Sequence, residues 1–224
     1  LVRSEHAVLN GDDPDLRKHQ HAWTDATWVS TKPCPTMPCS LWIDSEQWVR
    51  NTADRLFPAE ALSLPGAHNR QNMLLVTAAA LKTGLTAAAI EAGLRSFSGV
   101  PHRLEPLGLL KGMEVFNDSK ATNYDAAAVG LRAVASPTVV LAGGQTKQGD
   151  ASEWLDLLKQ RACDVVLFGD GAEELKRLIN ACGFAGGVWM ENDLEAALPT
   201  AIHCGAAHTA HSLLLSPACA SFDQ

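Results

Sequence analysis

Apolar residues in the first part of the chain come in short runs, Ala7–Leu9, Thr27–Thr31 and Ser40–Ile43, separated by turn formers such as Gly11-Asp-Asp-Pro14. Runs of that length between Gly, Asp and Pro read as strands, and His6–Asn10 reads as a buried one. From Asn69 to Ser96 the composition turns rich in Ala and Leu and the period becomes helical, predicting helices over Asn72–Lys82 and Thr86–Arg95 on either side of Gly84. Gly99-Val-Pro101 then breaks the pattern, so a domain boundary is placed there, giving units 1–98 and 99–224.

The second unit opens on a predicted hairpin, Leu104–Leu109 with Met113–Asn117. Thr138–Ala142, Asp164–Phe168, Gly187–Met190 and Ser212–Leu215 follow as apolar runs suited to buried parallel strands. The segments between them carry helix signals. Asp150, Asp170 and Asn192 each stand three residues before a Glu at capping-box spacing, Trp154, Leu157 and Leu158 share one face, and Leu175, Leu178 and Ile179 form a second stripe. Gly183 is placed for a left-handed helix end, and Pro199 should kink or shorten the third helix. The fold class is therefore α/β, with a Rossmann-like, doubly wound second unit whose ligands gather beyond the C-terminal ends of its strands.

Composition narrows the function. With 46% apolar and 19% charged residues among 224, the chain can bury a sizeable core, and its net charge of −7 offers no general field for nucleic acid. No run reaches the roughly 18 to 20 apolar residues of a membrane span and no secretory pattern opens the chain, so a soluble cytoplasmic protein is expected. Six scattered cysteines read as reduced core residues rather than a disulfide framework. Cys34-Pro-Thr-Met-Pro-Cys39 lacks a second pair at zinc-ligand spacing and reads as a proline-stiffened loop. Trp23, Trp28, Trp42 and Trp48 fit packing in a strand-rich segment better than a stacking set. Leu1 is not a Met, and Ser221–Gln224 follows an apolar strand without a closing element, so the sequence reads as a fragment.

Four polar stretches fall where a doubly wound unit places a site. In Pro101-His-Arg-Leu-Glu105, Arg103 can grip a phosphate at a hinge or simply pair with Glu105. Asn117-Asp-Ser-Lys-Ala-Thr-Asn123 joins a strand to a helix; Thr122 or Asn123 can cap that helix, but capping leaves Asp118 and Lys120 unexplained. An aspartate there can accept from ribose hydroxyls and a lysine can face phosphate or carboxylate. Gly143-Gly-Gln-Thr-Lys147 suits an anion near a helix N-terminus, although an ordinary turn with an exposed lysine reads equally well; it is not a Walker loop, which the chain lacks throughout. Ser216-Pro-Ala-Cys-Ala-Ser221 permits close ligand approach, with Ser216 and Ser221 as donors and no histidine spaced to make either a nucleophile. Asn69 and Asn72, in Gly66-Ala-His-Asn-Arg-Gln-Asn72, can face a purine edge or cap a helix.

Together, Gly66-x-His-Asn-x-x-Asn72, Pro101-His-Arg103, Asn117–Asn123, Gly143-Gly-x-x-Lys147 and Ser216–Ser221 closely resemble the Mur ligases, and within them the members that add D-glutamate. The resemblance implies a three-domain ATP-dependent ligase, monomeric as a whole, that joins D-glutamate to UDP-N-acetylmuramoyl-L-alanine through an acyl phosphate. Residues 1–98 would be the end of its central ATP-binding domain and 99–224 most of its C-terminal domain. It would set Asn69 and Asn72 near adenine, Arg103 at the ATP phosphates, and Asp118 and Lys120 near ribose and phosphates, with Arg103 and Lys120 as catalytic cations. Thr122, Lys147, Ser221 and the backbone at Phe222 would hold D-glutamate. The family's Gly-Lys-Thr loop, Mg2+ ligands and carbamylated lysine are expected upstream of Leu1, so this chain is not expected to catalyse ligation alone. Two alternatives stay open: a ligase of the same family with another amino-acid substrate, as in folylpolyglutamate synthases, and a non-catalytic nucleotide-binding module.

Overall fold

A computed structural model describes residues 6–33, 35, 37–145 and 149–220. The chain forms two compact units, Leu1–Ser98 and Gly99–Gln224.

In the first unit a five-stranded sheet runs β1 (Val8–Asn10), β2 (Thr27–Ser30), β3 (Leu41–Ile43), β4 (Trp48–Arg50) and β5 (Arg55–Pro58), in that spatial order. The first three are parallel and the last two antiparallel. Val29, Ile43, Val49 and Phe57 pack with Met73, Leu74 and Ala78 of helix α2 (Ala67–Lys82), and with Ile90 of α3 (Ala87–Ser96), into one core. β1 is half-buried rather than buried, because it lies at the sheet edge. The pattern gave no sign of β4 and β5: each is short, and only Val49 and Phe57 of the two are buried. It also missed the one-turn helix α1 (Pro14–Lys18), where Asp13 accepts from the Asp15 and Leu16 amides and Pro14 occupies the first position. Of the four tryptophans expected to pack, Trp28 is buried and Trp42 and Trp48 are half-buried, with Arg50 and Arg55 over their rings at 5.3 and 5.8 Å, whereas Trp23 is exposed.

The second unit holds a six-stranded sheet of β6 (Glu105–Leu110), β7 (Met113–Asn117), β8 (Thr138–Gly143), β9 (Ala162–Phe168), β10 (Gly187–Glu191) and β11 (Ser212–Ala218). The spatial order is β10-β9-β8-β11-β7-β6, with every neighbouring pair parallel except β6 with β7. Alternation along the central strands splits the core in two. Val140, Ala142, Val165 and Leu167 meet α4 (Tyr124–Ala133), α5 (Ser152–Arg161) and α6 (Ala172–Ala181). Val139, Leu141, Val166 and Phe168 meet α7 (Leu194–Ala207). Helices on both faces of a mainly parallel sheet are the doubly wound arrangement.

Several helix ends differ from the sequence reading. Asp193, not Asn192, caps α7 by accepting from the Ala196 amide. α5 and α6 start behind Ala151 and Gly171 without a side-chain cap, and Asp150 instead accepts from the Ser152 amide at 2.9 Å. α7 continues through Pro199 for 14 residues, its face of Ala197, Ala201 and Cys204 buried against the sheet. Packing there outweighs the one hydrogen bond a proline removes. Gly183 does take a left-handed conformation, with φ of 77°.

At the amino end of β9, Asp164 is 2% exposed and serves as a structural node. Its Oδ1 accepts from the Gly187 amide at 2.7 Å and the Trp189 indole at 3.4 Å, and its Oδ2 lies 3.0 Å from His208 Nε2.

Candidate functional site

Parallel strands point their carbonyl ends the same way, so the loops after β7, β8 and β11 rise from one edge of the sheet. Backbone hydrogen bonds lace these loops together. The Asp118 amide donates to Leu215 O at 2.8 Å, and the Ala218 amide donates to Ala121 O at 2.9 Å. Gln145 and Ala220 exchange both of their backbone bonds, at 2.7 and 2.9 Å. Gly143 must be Gly: a Cβ there would stand 1.9 Å from Phe168 O, so the close approach it permits is first to β9.

Asn117–Asn123 is the best-defined part of the site. Asn123 caps α4, accepting from the Ala126 amide at 2.8 Å, which settles the capping role between Thr122 and Asn123. Asp118, only 6% exposed, turns inward. Its Oδ1 accepts from the Leu104 amide at 2.9 Å, and its Oδ2 occupies the space where a side chain on Gly130 of α4 would begin, 2.4 Å from the ideal Cβ position. The Ser216 hydroxyl faces the same carboxylate without reaching full hydrogen-bond geometry. Burial pushes the Asp118 pKa from its ordinary 3.8 to about 6, while the Leu104 amide, the Arg103 charge and Ser216 only partly offset it.

Asp118 thereby anchors the turn over Pro101–Leu104. The Lys120 amide holds that turn from the other side by donating to His102 O at 3.0 Å. His102 and Leu104 both have positive φ, 65° and 46°, which costs a residue with a Cβ about 1–3 kcal/mol and persists only where neighbours over-determine it. Arg103 and Lys120 are exposed, so the structure brings two exposed cations to adjoining loops beside a buried carboxylate. Arg103 does not take the simple alternative of pairing with Glu105, whose Oε2 accepts from the His102 amide at 2.9 Å.

Thr122 is half-buried in the same loop. Lys147, Ser221 and Phe222 lie outside the described residues, as does Cys34; the residues just before the first two, Gln145 with Thr146 intervening and Ala220, include the paired ends of the Gln145–Ala220 bridge. Asn69 and Asn72 belong to the first unit, both inside α2 rather than at its cap, which is Gly66. Asn69 is half-buried and donates to Pro65 O at 2.7 Å; Asn72 is exposed. Among the described residues no group of three or more His, Cys, Asp or Glu stands ready to hold a metal ion, and no helix is long and apolar enough to cross a membrane.

Sequence reasoning missed Gly130 and the pairing of Asn117 with His102. A glycine inside a helix costs about 1 kcal/mol against alanine, so Gly130 in an alanine-rich helix was itself a readable signal. The Asn117 contact spans the hairpin and has no local signature.

The second unit is thus a doubly wound domain that carries two exposed cations and a buried carboxylate on loops at the carbonyl edge of its sheet. Residues 102–219 match the family described as Mur ligase, glutamate ligase domain, and the chain belongs to the Mur ligase family. Over its whole length it is 59% identical to the UDP-N-acetylmuramoylalanine--D-glutamate ligase of Parasynechococcus marenigrum, covering 49% of that protein. It is 46% identical to the protein of the same name from Synechococcus elongatus, covering 50% of it. The chain thus spans about half the length of the curated relatives it matches. Among solved structures, folylpolyglutamate synthase of Mycobacterium tuberculosis is similar with a TM-score of 0.70 at 17% identity, over 97% of this chain and 53% of that one. The UDP-N-acetylmuramate-alanine ligase of Thermotoga maritima gives 0.63 at 16%, over 94% of this chain and 47% of that one. At such identities the likeness speaks to fold alone.

Proposed function

We propose that the chain is part of a cytoplasmic, ATP-dependent ligase that adds D-glutamate to UDP-N-acetylmuramoyl-L-alanine in the synthesis of peptidoglycan precursors. The observation that carries this reading is the Asn117–Asn123 loop, whose Lys120 amide holds the turn that carries Arg103, in a chain whose relatives bear that name along its whole length. In this reading residues 1–98 end a central ATP-binding domain, where Asn69 and Asn72 approach adenine, and residues 99–224 form most of the C-terminal domain.

ATP and Mg2+ would supply the phosphoryl group and neutralise its charge when bound. Two exposed cations suit a polyphosphate: Arg103 presents a planar fork to two phosphate oxygens, and Lys120 adds a point charge, both opposing the charge that grows as an acyl phosphate forms. Asp118 keeps the Arg103 turn in place and adjoins the ribose side of the nucleotide. Thr122, Lys147, Ser221 and the backbone at Phe222 hold D-glutamate with its neutral amine towards the acyl carbon, which turns the joining step into an oriented, effectively unimolecular one. The Mg2+ ligands and the phosphate loop would lie in the half of the relatives' length that this chain does not span, and the 224-residue chain alone would not catalyse ligation.

The test is calorimetry and phosphate release with the full-length enzyme, UDP-N-acetylmuramoyl-L-alanine and ATP, comparing D-glutamate, L-alanine and diaminopimelate. Phosphate release that depends on D-glutamate alone is expected. Equal response to another amino acid would overturn the specificity, and D-glutamate-dependent ATP turnover by the 224-residue chain would overturn its dependence on the missing parts.

A further inference from the structure

His102 is held more firmly than an exposed residue requires. Its side chain is 58% exposed and its φ is 65°, yet three of its polar groups are engaged. The amide donates to Glu105 Oε2 at 2.9 Å, the carbonyl accepts from the Lys120 amide at 3.0 Å, and the ring Nδ1 lies 2.9 Å from Asn117 Nδ2. The orientation of the Asn117 amide follows from its other contacts. Its Oδ1 accepts from the Ser119 amide at 3.1 Å, which turns Nδ2 towards His102 and towards Glu105 Oε2 at 3.5 Å. An amide NH2 can only donate, so the facing Nδ1 must offer a lone pair, and the neutral ring then carries its proton on Nε2.

We infer that Asn117, gripped by Glu105, is a positioning residue that fixes His102 with its proton on Nε2, and that this N–H is a further donor to the phosphate-type anion met by Arg103 and Lys120. The second half rests on the proposed function. Four features of the molecule converge on it: a strained backbone, three held groups, an exposed ring, and a ring nitrogen for which no partner stands among the described residues. A neutral N–H beside a guanidinium gives an oxyanion a directed hydrogen bond without a further charge to screen.

The experiment uses the 224-residue chain with 15N-labelled histidine, read by long-range 15N–1H correlations at pH 8, with His102 assigned through His102→Gln. The parent should show its proton on Nε2. Asn117→Asp, which replaces the donor by an acceptor, should move the proton to Nδ1, and Glu105→Gln, a milder change should Asn117→Asp not fold, should leave a mixture of the two forms. A proton on Nδ1 in the parent, or the same form in parent and folded variants, would overturn the positioning role. Tripolyphosphate is then titrated in, and it should shift the Nε2–H signal and bind about 5-fold more weakly to His102→Gln, the equivalent of one hydrogen bond. If tripolyphosphate binds more weakly to Arg103→Ala and Lys120→Ala but leaves the His102 signals unmoved, the donor role fails while the anion site stands. If the His102 signals stay unmoved and none of the three substitutions weakens binding, the donor role fails together with the reading of this edge as an anion site.

Discussion

Replacing Asp118 by Asn removes the ionisable group beneath the Arg103 turn while keeping an oxygen for the Leu104 amide, and its effect on stability should depend on pH in a direction set by burial. The carboxyl titrates at about 6 in the fold against an ordinary 3.8. A folded value above the unfolded one means that the fold prefers the protonated form. The stability this group contributes is therefore fully present below 3.8 and is lost as pH rises through about 6. At 1.36 kcal/mol per pH unit the full displacement corresponds to about 3 kcal/mol, of which about 2 kcal/mol is lost between pH 4 and pH 7. Asp12, Asp44, Glu46 and Asp150, which hydrogen bonds and neighbouring cations draw below their ordinary values, act in the opposite direction, but they are common to both chains and cancel in the difference. Urea unfolding of parent and Asp118→Asn at pH 4, 5, 6 and 7, followed by tryptophan fluorescence, to which the buried Trp154 of the second unit contributes, measures that difference. The variant should gain about 2 kcal/mol on the parent across this range. A difference that stays flat, or that moves in the parent's favour as pH rises, would refute the claim that burial rather than the Arg103 charge dominates this carboxyl.

Two further substitutions probe what carries the site. Gly143→Ala drives a Cβ to 1.9 Å from Phe168 O and should cost at least about 3 kcal/mol or prevent folding, whereas Gly84→Ala, with φ of 90° but no atom within 4 Å, should cost about 1 kcal/mol; equal costs would mean that backbone strain, not the β8–β9 approach, dictates the glycine. Arg161→Ala removes the guanidinium that donates to Leu131 O at 3.0 Å and Val134 O at 2.7 Å, closing the C-terminal end of α4, and should lower stability by about 2 kcal/mol; a urea midpoint unchanged from the parent would count against that cap.

Periodicity made most of the second unit legible because its strands are buried on both faces and read as unbroken apolar runs: Val139–Ala142 and Val165–Phe168 have no polar residue to confuse them. β4 and β5 escaped because three or four residues with a single buried side chain carry no period, and their place is fixed by pairing, β4 with β3 and β5 with β4. Helix starts slipped by a residue or more where several acids and amides compete for the cap: Asn192 and Asp193 are adjacent, and only the backbone path chooses between them. In the site, the motif residues were visible by their density, but the inward turn of Asp118 was not. It depends on the empty side of Gly130, twelve residues on, and on Leu104, fourteen residues back.

β11 is the last strand in chain order among those described, yet it lies in the middle of its sheet, and it is the only hydrogen-bonded link between β8 and β7. As the chain emerges during synthesis, the β6–β7 hairpin and the β8–β9–β10 block can each form early, but a strand-wide slot stays open between them until Ser212–Ala218 arrives. The two walls of that slot expose unpaired backbone until then, so this unit stays vulnerable to wrong strand pairing through most of its own production. The same late strand carries the carbonyl that receives the Asp118 amide and the amide that donates to Ala121, so the Asn117–Asn123 loop gains its support from β11 only when the sheet closes.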